Sequence, residues 1–532
     1  MNIIIFFKSY LLKNKFILFI SFLTGIASIL FEFINPLFFR YIIDNILISA
    51  HYELLNNVIV ILLIIFAISI VSSYYNSYLS WKLKYRLYKD ISNDSFNNII
   101  NSNMKKFNSF DIGDLISRIL YNTDKISDLI SQTLLQIVIN LLLLIIPIYI
   151  MLNINILLTF IIISPCVLFI FLNLYLGKRI DTYSTTMAKI NGELSSFLKE
   201  YLSILTMIRL FNITNWINNK FNIKNNQYYD SALKSNKIIS CSSSISYLFY
   251  SINVLLILII GSNLVINKQI SLGSFVAFLS YSSMFFNPLI NISHFYTQYK
   301  STLPLIRRLN KFNNAMPIEN KNELDIIDGT IKISNIYFSY NNESIIKNFS
   351  ATFTKGINYI CGDNGTGKST LIHLINGLYG VDKGIITIDN QPVNTLSRDS
   401  LNSNISNIFP EPYLFNDTII HNICLDKTYL NIEEICDLVK LSNFINTVGY
   451  NYKIGENGNK LSSGESQKIA LARALIRDTH IMIFDEATKS IDDDTRKIIK
   501  DIINTLKYDK TVIIITHNVN DIVKNANIVY LH

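Results

Sequence analysis

The residues with the plainest chemistry lie towards the carboxyl terminus. The run Gly362-Asp363-Asn364-Gly365-Thr366-Gly367-Lys368-Ser369-Thr370 follows a strand-like segment, Gly356–Cys361, and precedes an apolar helical segment, Leu371–Leu378. Glycines at this spacing let backbone N–H groups curl around phosphate oxygens, and the helix N-terminus adds the positive end of its dipole. In such a loop Lys368 reaches the β- and γ-phosphates and the Ser369 hydroxyl ligates Mg²⁺. A second segment, Ile481-Met482-Ile483-Phe484-Asp485-Glu486, is an apolar strand ending in two carboxylates. Beside phosphates, Asp485 suits the metal and Glu486 suits the polarisation of an attacking water. Alone, that run reads equally as a core strand with a solvated tip; the phosphate loop gives the carboxylates their task.

The elements that must position these groups follow from composition. A chain of 532 residues is too long for one core and about right for two or three domains. Half of it is apolar and 16% is charged, against roughly 25% in an ordinary soluble domain. The deficit lies before about Lys300, in windows rich in Ile, Leu, Phe and Tyr. Six of them, about 16–39, 56–80, 131–152, 154–176, 241–264 and 273–298, are long enough to span a bilayer. Tight turns near Asn153 and Lys268 join spans three to four and five to six, whereas long polar connections of helical periodicity separate two from three and four from five. Lys8, Lys13 and Lys15 precede span one, and Lys82, Lys84, Arg86 and Lys89 follow span two, which places the amino terminus and both long connections in the cytoplasm. The net charge of +8 flanks these spans and forms no basic tail, so nucleic acid is not an expected partner. Cys166, Cys241, Cys361, Cys424 and Cys436 show no metal or disulfide spacing and read as free thiols. The first residues carry no cleavage-site pattern, so the first apolar run reads as a retained span.

The stretch Leu461-Ser462-Ser463-Gly464-Glu465-Ser466-Gln467, opening the helical run Ile469–Ile476, makes the reading specific. The chain resembles the ATP-binding-cassette transporter family, whose signature reads LSGGQ, and within it the exporter half-transporters. The resemblance covers essentially the whole chain. It implies an α-helical six-span membrane domain (1–309), a linker (310–328, containing Pro317) and an α/β P-loop NTPase cassette (329–532). It further implies an ATP hydrolase in the cytoplasmic membrane, with the cassette in the cytoplasm. ATP and Mg²⁺ are the implied cofactors and a second half-transporter is the implied partner, a second copy of this chain being favoured over a different half. Tyr340 matches the family's adenine-stacking aromatic. Lys489-Ser490-Ile491-Asp492 matches the dimer-contact loop, and His517 in Thr516-His517 matches the switch histidine. Gly455-Glu456-Asn457-Gly458 is similar to an exporter segment that touches a coupling helix. Asp111–Arg118 and Met207–Asn212 resemble the two cytoplasmic coupling sites. In this family two cassettes meet head to tail, so Ser462, Ser463, Gly464 and Glu465 would grip the nucleotide held on the partner.

Three features depart from the family pattern. In Ile408-Phe409-Pro410-Glu411-Pro412-Tyr413-Leu414-Phe415, Pro410 stands where the family has Gln, and proline offers neither a side-chain ligand nor a backbone donor. Glu411 is the neighbouring substitute for reaching the metal. Ser463 and Glu465 replace a Gly and a Gln of the signature. The chain ends after the strand-like Ile528–Leu531, where the family usually continues into helices. Hydrolysis is expected, at a slow rate; the competing expectation is a degenerate half that pairs with a stronger one.

For cargo, the sequence before span one has no peptidase-like segment. Polar and aromatic side chains in the spans, Tyr281, Asn287 and His294 among them, could line a cavity for an amphipathic cargo or simply bond helix to helix. Glu32 is an intramembrane carboxylate, costly unless it has a task or reaches water at the interface. A small peptide or other amphipathic product is the expected cargo. A lipid or lipid-linked glycan flippase is the alternative, and an ATP-gated receptor or channel is the reading of another class.

Overall fold

A computed structural model describes residues 3–102, 104–313, 322–340, 343–363, 365–425, 427, 429, 431–487, 492–516 and 526–531. The chain divides into two compact units, one of Met1–Ser102 with Lys106–Met316 and one built on Pro317–His532.

The first unit is helical because a bilayer offers backbone groups no partner but each other. A short helix, α1 (Ile3–Lys13), precedes α2 (Lys15–Tyr41) and α3 (Leu55–Ile100). A six-residue helix, α4 (Ile112–Ser117), leads towards α5 (Leu135–Ile154) and α6 (Ile156–Ser203). Another short helix, α7 (Leu205–Leu210), precedes α8 (Thr214–Ile266) and α9 (Leu272–Asn313). Among the described residues five helices are long and apolar enough to cross a membrane. The expected span 131–152 falls on α5, whose apolar stretch Ile139–Ile154 is shorter. The tight turns take their expected places: the Asn155 side chain caps α6 by accepting from the Leu158 N–H at 2.9 Å, and Lys268 adopts φ +57°. The polar connections continue the spans as helices, with the α7 turn closed by Asn212 in the left-handed region. Asp114 of α4 accepts from Arg118 Nε at 2.8 Å and pairs with Arg308 of α9. Arg308 also donates to the Ala188 carbonyl of α6, so one buried ion cluster joins three helices.

The second unit contains two sheets. β1 (Ile331–Tyr340), β2 (Glu343–Phe353), β4 (Lys383–Ile388) and β5 (Gln391–Pro392) form an antiparallel sheet ordered β2-β1-β4-β5. β3 (Gly356–Cys361), β6 (Ile405–Ile408), β7 (Ile481–Asp485), β8 (Thr511–Ile515) and β9 (Asn527–Tyr530) form a parallel sheet ordered β6-β7-β8-β3-β9. Every residue of β7 is buried, as expected for a parallel strand covered on both faces. The helices that matter for the site are α10 (Lys368–Ile375), α11 (Ser463–Leu475) and α12 (Asp493–Leu506). Packing Leu371, Ile372 and Ile375 of α10 against Ile360, Ile483 and Ile513 fixes the phosphate loop over the carboxyl ends of the strands.

Asp389 and Asn390 turn β4 into β5 with φ of +45° and +63°, the positive pair that a two-residue hairpin needs. The Asp389 carboxylate then accepts the backbone N–H groups of Ile327, Asp328, Gly329 and Thr330 at 2.8–3.1 Å. Burial opposes the charge there, but these donors outweigh it and hold the carboxyl below its usual range. Asp389→Ala is expected to lower the stability of this unit by about 2 kcal/mol, or ~4–8 °C in its thermal transition. Because the folded-state value is depressed, this contribution is present above the unfolded carboxylate value of about 3.9 and is lost as pH falls through the folded value. Differential scanning of the variant beside the parent at pH 7 and pH 3 checks both the size and the sign.

Candidate nucleotide site

The phosphate loop owes its shape to glycines at positions where backbone angle or space disfavours a side chain. Gly365 and Gly367 adopt φ of +88° and +97°, and a Cβ on Gly362 would strike the Leu531 carbonyl. Gly367 is the N-cap of α10, so the first free N–H groups of that helix open onto the loop. Lys368 Nζ folds back onto the loop, donating to the carbonyls of Gly362 at 2.8 Å and Asp363 at 2.7 Å. Phosphate oxygens would offer that ammonium charged acceptors in place of neutral ones. Thr366 donates to the Asp363 carbonyl, and Thr370 is buried in α10.

Ser369 at the start of α10 meets the end of β7: its hydroxyl donates to Asp485 Oδ2 at 3.2 Å. Burial raises the Asp485 carboxyl and the adjoining Glu486 charge adds to it, while Ser369, His373 and Lys368 oppose. A divalent cation beside the carboxylate would offset that unfavourable burial. Among the described residues no group of three or more His, Cys, Asp or Glu could hold a metal ion. A hydroxyl and one carboxylate instead fit an ion that fills its shell with phosphate and water oxygens, as Mg²⁺ does. Glu486 follows at φ +43°, its N–H donating to the Ile515 carbonyl at 3.2 Å. A left-handed non-glycine residue costs about 1–2 kcal/mol, a strain that sites of chemistry retain.

The signature stretch starts α11 with a reciprocal cap. Ser462 Oγ accepts from the Glu465 N–H at 3.2 Å, and Glu465 Oε2 accepts from the Ser462 N–H at 2.8 Å. The family's glutamine is thus replaced by a carboxylate that has a local task. A Cβ on Gly464 would lie 2.6 Å from Asp492 Oδ1, so the signature stretch meets Asp492 through a glycine-sized gap. Asp492 in turn caps α12 by accepting from the Thr495 N–H at 2.8 Å. Ser463 is exposed at the first position of α11.

Tyr340 lies half-buried, its ring edge-on to Phe338 at 4.8 Å and to Tyr379 at 5.3 Å. Pro410 is half-buried at the end of β6, whereas Glu411 and Glu456 are exposed. Asn364, His517 and Lys489–Ile491 lie outside the described residues.

Two residues of this unit were not singled out by sequence. Gln467, buried in α11, donates to the Phe409 carbonyl at 3.1 Å and the Ala487 carbonyl at 3.2 Å. It thereby ties the residue before Pro410 to the residue after Glu486. Arg473 donates to the carbonyls of Tyr413 at 2.7 Å and Asn422 at 2.6 Å, and burial pulls its guanidinium down to about 10. A glutamine or arginine within a helical run carries no mark of such contacts; only its position on the helix facing β6 could have signalled them.

In the membrane unit a cavity of about 310 Å³ is lined by Glu32, Gln136, Asn140, Asn287 and Asn291 together with apolar side chains. Glu32 and Asn287 are therefore brought together. Tyr281 is not among the lining residues: it is fully buried, with its hydroxyl donating to the Phe33 carbonyl at 2.8 Å. His294 is exposed and also lies outside the lining.

Comparison with known proteins agrees with this geometry. Residues 18–289 match the family described as ABC transporter transmembrane region, and residues 346–489 match that described as ABC transporter. A Bacillus subtilis (strain 168) protein named for multidrug export, an ATP-binding/permease protein, is 26% identical over 97% of this chain and 92% of its own length. The alpha-hemolysin translocation ATP-binding protein HlyB of Escherichia coli O157:H7 is 27% identical over 93% of this chain and 71% of its own. The ATP-dependent lipid A-core flippase of Syntrophus aciditrophicus (strain SB) is 27% identical over 91% and 82%. A bacterial Atm1-family ABC exporter solved with ATP bound shares the fold, with a TM-score of 0.88 at 19% identity over 98% of this chain and 94% of that one. The chain belongs to the ABC transporter family, as a multi-pass membrane exporter whose ATP-binding and ATP-hydrolysing cassette is fused to its transmembrane region.

Proposed function

We propose that two copies of this chain form a dimer that exports an amphipathic substrate by alternating access, with a small peptide or similar product as cargo. The observation that carries this reading is the meeting of Ser369 and Asp485, with Glu486 next in line, in a chain that also holds an amphipathic cavity among its spans. Lys368 and the loop N–H groups would hold the phosphates, and Ser369 and Asp485 would hold Mg²⁺, which supplies charge neutralisation on the phosphates. Glu486 would orient the attacking water, and His517 would contact the γ-phosphate. Tyr340 would stack on adenine. Ser462, Ser463, Gly464 and Glu465 of each copy would close over the nucleotide of the other, while Pro410, Glu411, Glu456 and Asp492 would relay closure. Neither half can then enclose ATP alone, so binding favours the closed state and hydrolysis releases it.

Purified alone in nanodiscs, the chain is expected to hydrolyse ATP; nucleotide binding without turnover would replace the homodimer with a pair of unlike halves. ATP-driven accumulation of a fluorescent amphipathic peptide in inside-out vesicles tests the pump against an ATP-gated channel. Accumulation of a labelled lipid in the opposite leaflet, without peptide uptake, would favour a flippase.

Pro410 gives a further prediction. Restoring an amide with Pro410→Gln is expected to raise turnover about 3–10-fold, since one hydrogen bond to a charged group contributes about 1 kcal/mol or more. Steady-state ATPase at saturating nucleotide checks this; an unchanged rate would mean that the site works without that ligand.

A further inference from the structure

We propose that the cavity between α2, α5 and α9 seats a primary ammonium group carried by the cargo, an inference that rests on the export reading above. Two independent features of the cavity ask for a donor-rich cation. The first is charge. Apart from Tyr and Cys, Glu32 and His294 are the only ionisable side chains in the six spans, and Glu32 alone lines the cavity. Among the described residues, no basic side chain forms an ion pair with Glu32. A carboxylate within a membrane segment is costly without a partner, and a ligand cation supplies one.

The second feature is backbone. A proline has no N–H, so in a helix the carbonyl four residues earlier loses its usual donor. Pro36 in α2 does this to Glu32, Pro147 in α5 to Leu143, and Pro288 in α9 to Met284. All three affected residues line this one cavity. The other prolines within helices of the unit, Pro165 and Pro304, affect Ile161 and Lys300, which do not line it. The Tyr281 hydroxyl is spent on the Phe33 carbonyl, and Asn291 donates to Asn140 Oδ1 at 3.5 Å. Each of these carbonyls is left short of its helical donor in a residue that lines the cavity, and the donors of a bound cation can satisfy such acceptors.

An ammonium has three donors and no acceptor, so it matches a site rich in carboxylate, amide and carbonyl oxygen. An anion would meet Glu32, and a neutral head would leave it unpaired. Ile29, Phe33 and Ile290 offer apolar wall to the chain behind the head. About 310 Å³ is the low end of ligand cavities and suits a head and its neck.

The test uses the full-length protein in nanodiscs and two probes of nearly equal size, dansylcadaverine and its N-acetyl derivative. Fluorescence titration of the parent should show the ammonium probe binding at least tenfold tighter than the neutral one. In Glu32→Gln that ratio should fall below twofold, while Glu32→Asp, keeping the charge, should retain most of it; all three proteins are compared at the same size-exclusion volume. The proposal is overturned if the parent shows no preference, if Glu32→Gln keeps it, or if the ammonium probe does not bind, as for a site that takes only a bare alkali ion. Charge-dependent binding without ATP-driven uptake would sink the export reading and leave the cavity assignment standing. Uptake without the Glu32 preference would do the reverse.

Discussion

Glu486→Gln is expected to lower ATP turnover by about 10²–10⁴-fold, equivalent to roughly 3–5 kcal/mol of transition-state stabilisation. The amide keeps the shape of the side chain and its place at φ +43°, so the backbone turn that presents it is unchanged. What is lost is a full negative charge, which an amide does not replace. Nucleotide affinity is expected to stay within about threefold, because the phosphate loop, Ser369 and Asp485 are untouched. The variant should therefore hold ATP and remain closed for longer than the parent. Single-turnover hydrolysis beside equilibrium nucleotide binding separates the two effects. Equal loss of binding and turnover would show that Glu486 holds the loop together, not the water.

The parts of this site that the sequence discloses are those where chemistry and chain order coincide. Gly362–Thr370 is contiguous, and its spacing alone dictates a loop between a strand and a helix; the structure places β3 before it and α10 after it. Asp485 was legible as the end of an apolar run because parallel strands are buried on both faces and expose only their tips. Five of the six expected spans fall on helices long and apolar enough to cross a membrane, yet the cavity between the helices was not legible. Gln136 and Asn140 lie one turn apart on one face of a helix, and no local pattern tells whether that face meets lipid, a neighbouring helix or a cavity. The same ambiguity made Tyr281 a candidate for the cavity, whereas a tyrosine at that depth can satisfy its hydroxyl on a neighbouring helix carbonyl. That the three proline-affected residues line one cavity depends on how α2, α5 and α9 align along their axes, which sequence periodicity leaves open. Gln467 is a related case: its burial and its two carbonyl acceptors come from distant segments, Phe409 and Ala487.

Two variants that each abolish activity should restore it when mixed. Lys368→Met removes the cation that would hold the β- and γ-phosphates and is expected to cost at least ~100-fold in turnover together with most ATP affinity. Gly464→Val leaves the phosphate loop alone but forces a branched side chain into the space against Asp492, where a single Cβ already lies 2.6 Å from the carboxylate. It should bind ATP like the parent and hydrolyse it at least ~100-fold more slowly, because the signature end of α11 can no longer approach a nucleotide. If each ATP is held by the phosphate loop of one copy and the signature of the other, a mixed dimer concentrates both defects in one site and leaves the second intact. Reconstituting the two variants together should then give turnover at least tenfold above either alone, with ATP occupying one site per dimer at high affinity. Were both elements to act on the nucleotide of their own copy, every site in the mixture would carry one defect and mixing would restore nothing. The outcome thus turns on the geometry of sharing and not on the strength of either side chain. It also decides whether Ser462, Ser463, Gly464 and Glu465 act on their own nucleotide or on the partner's.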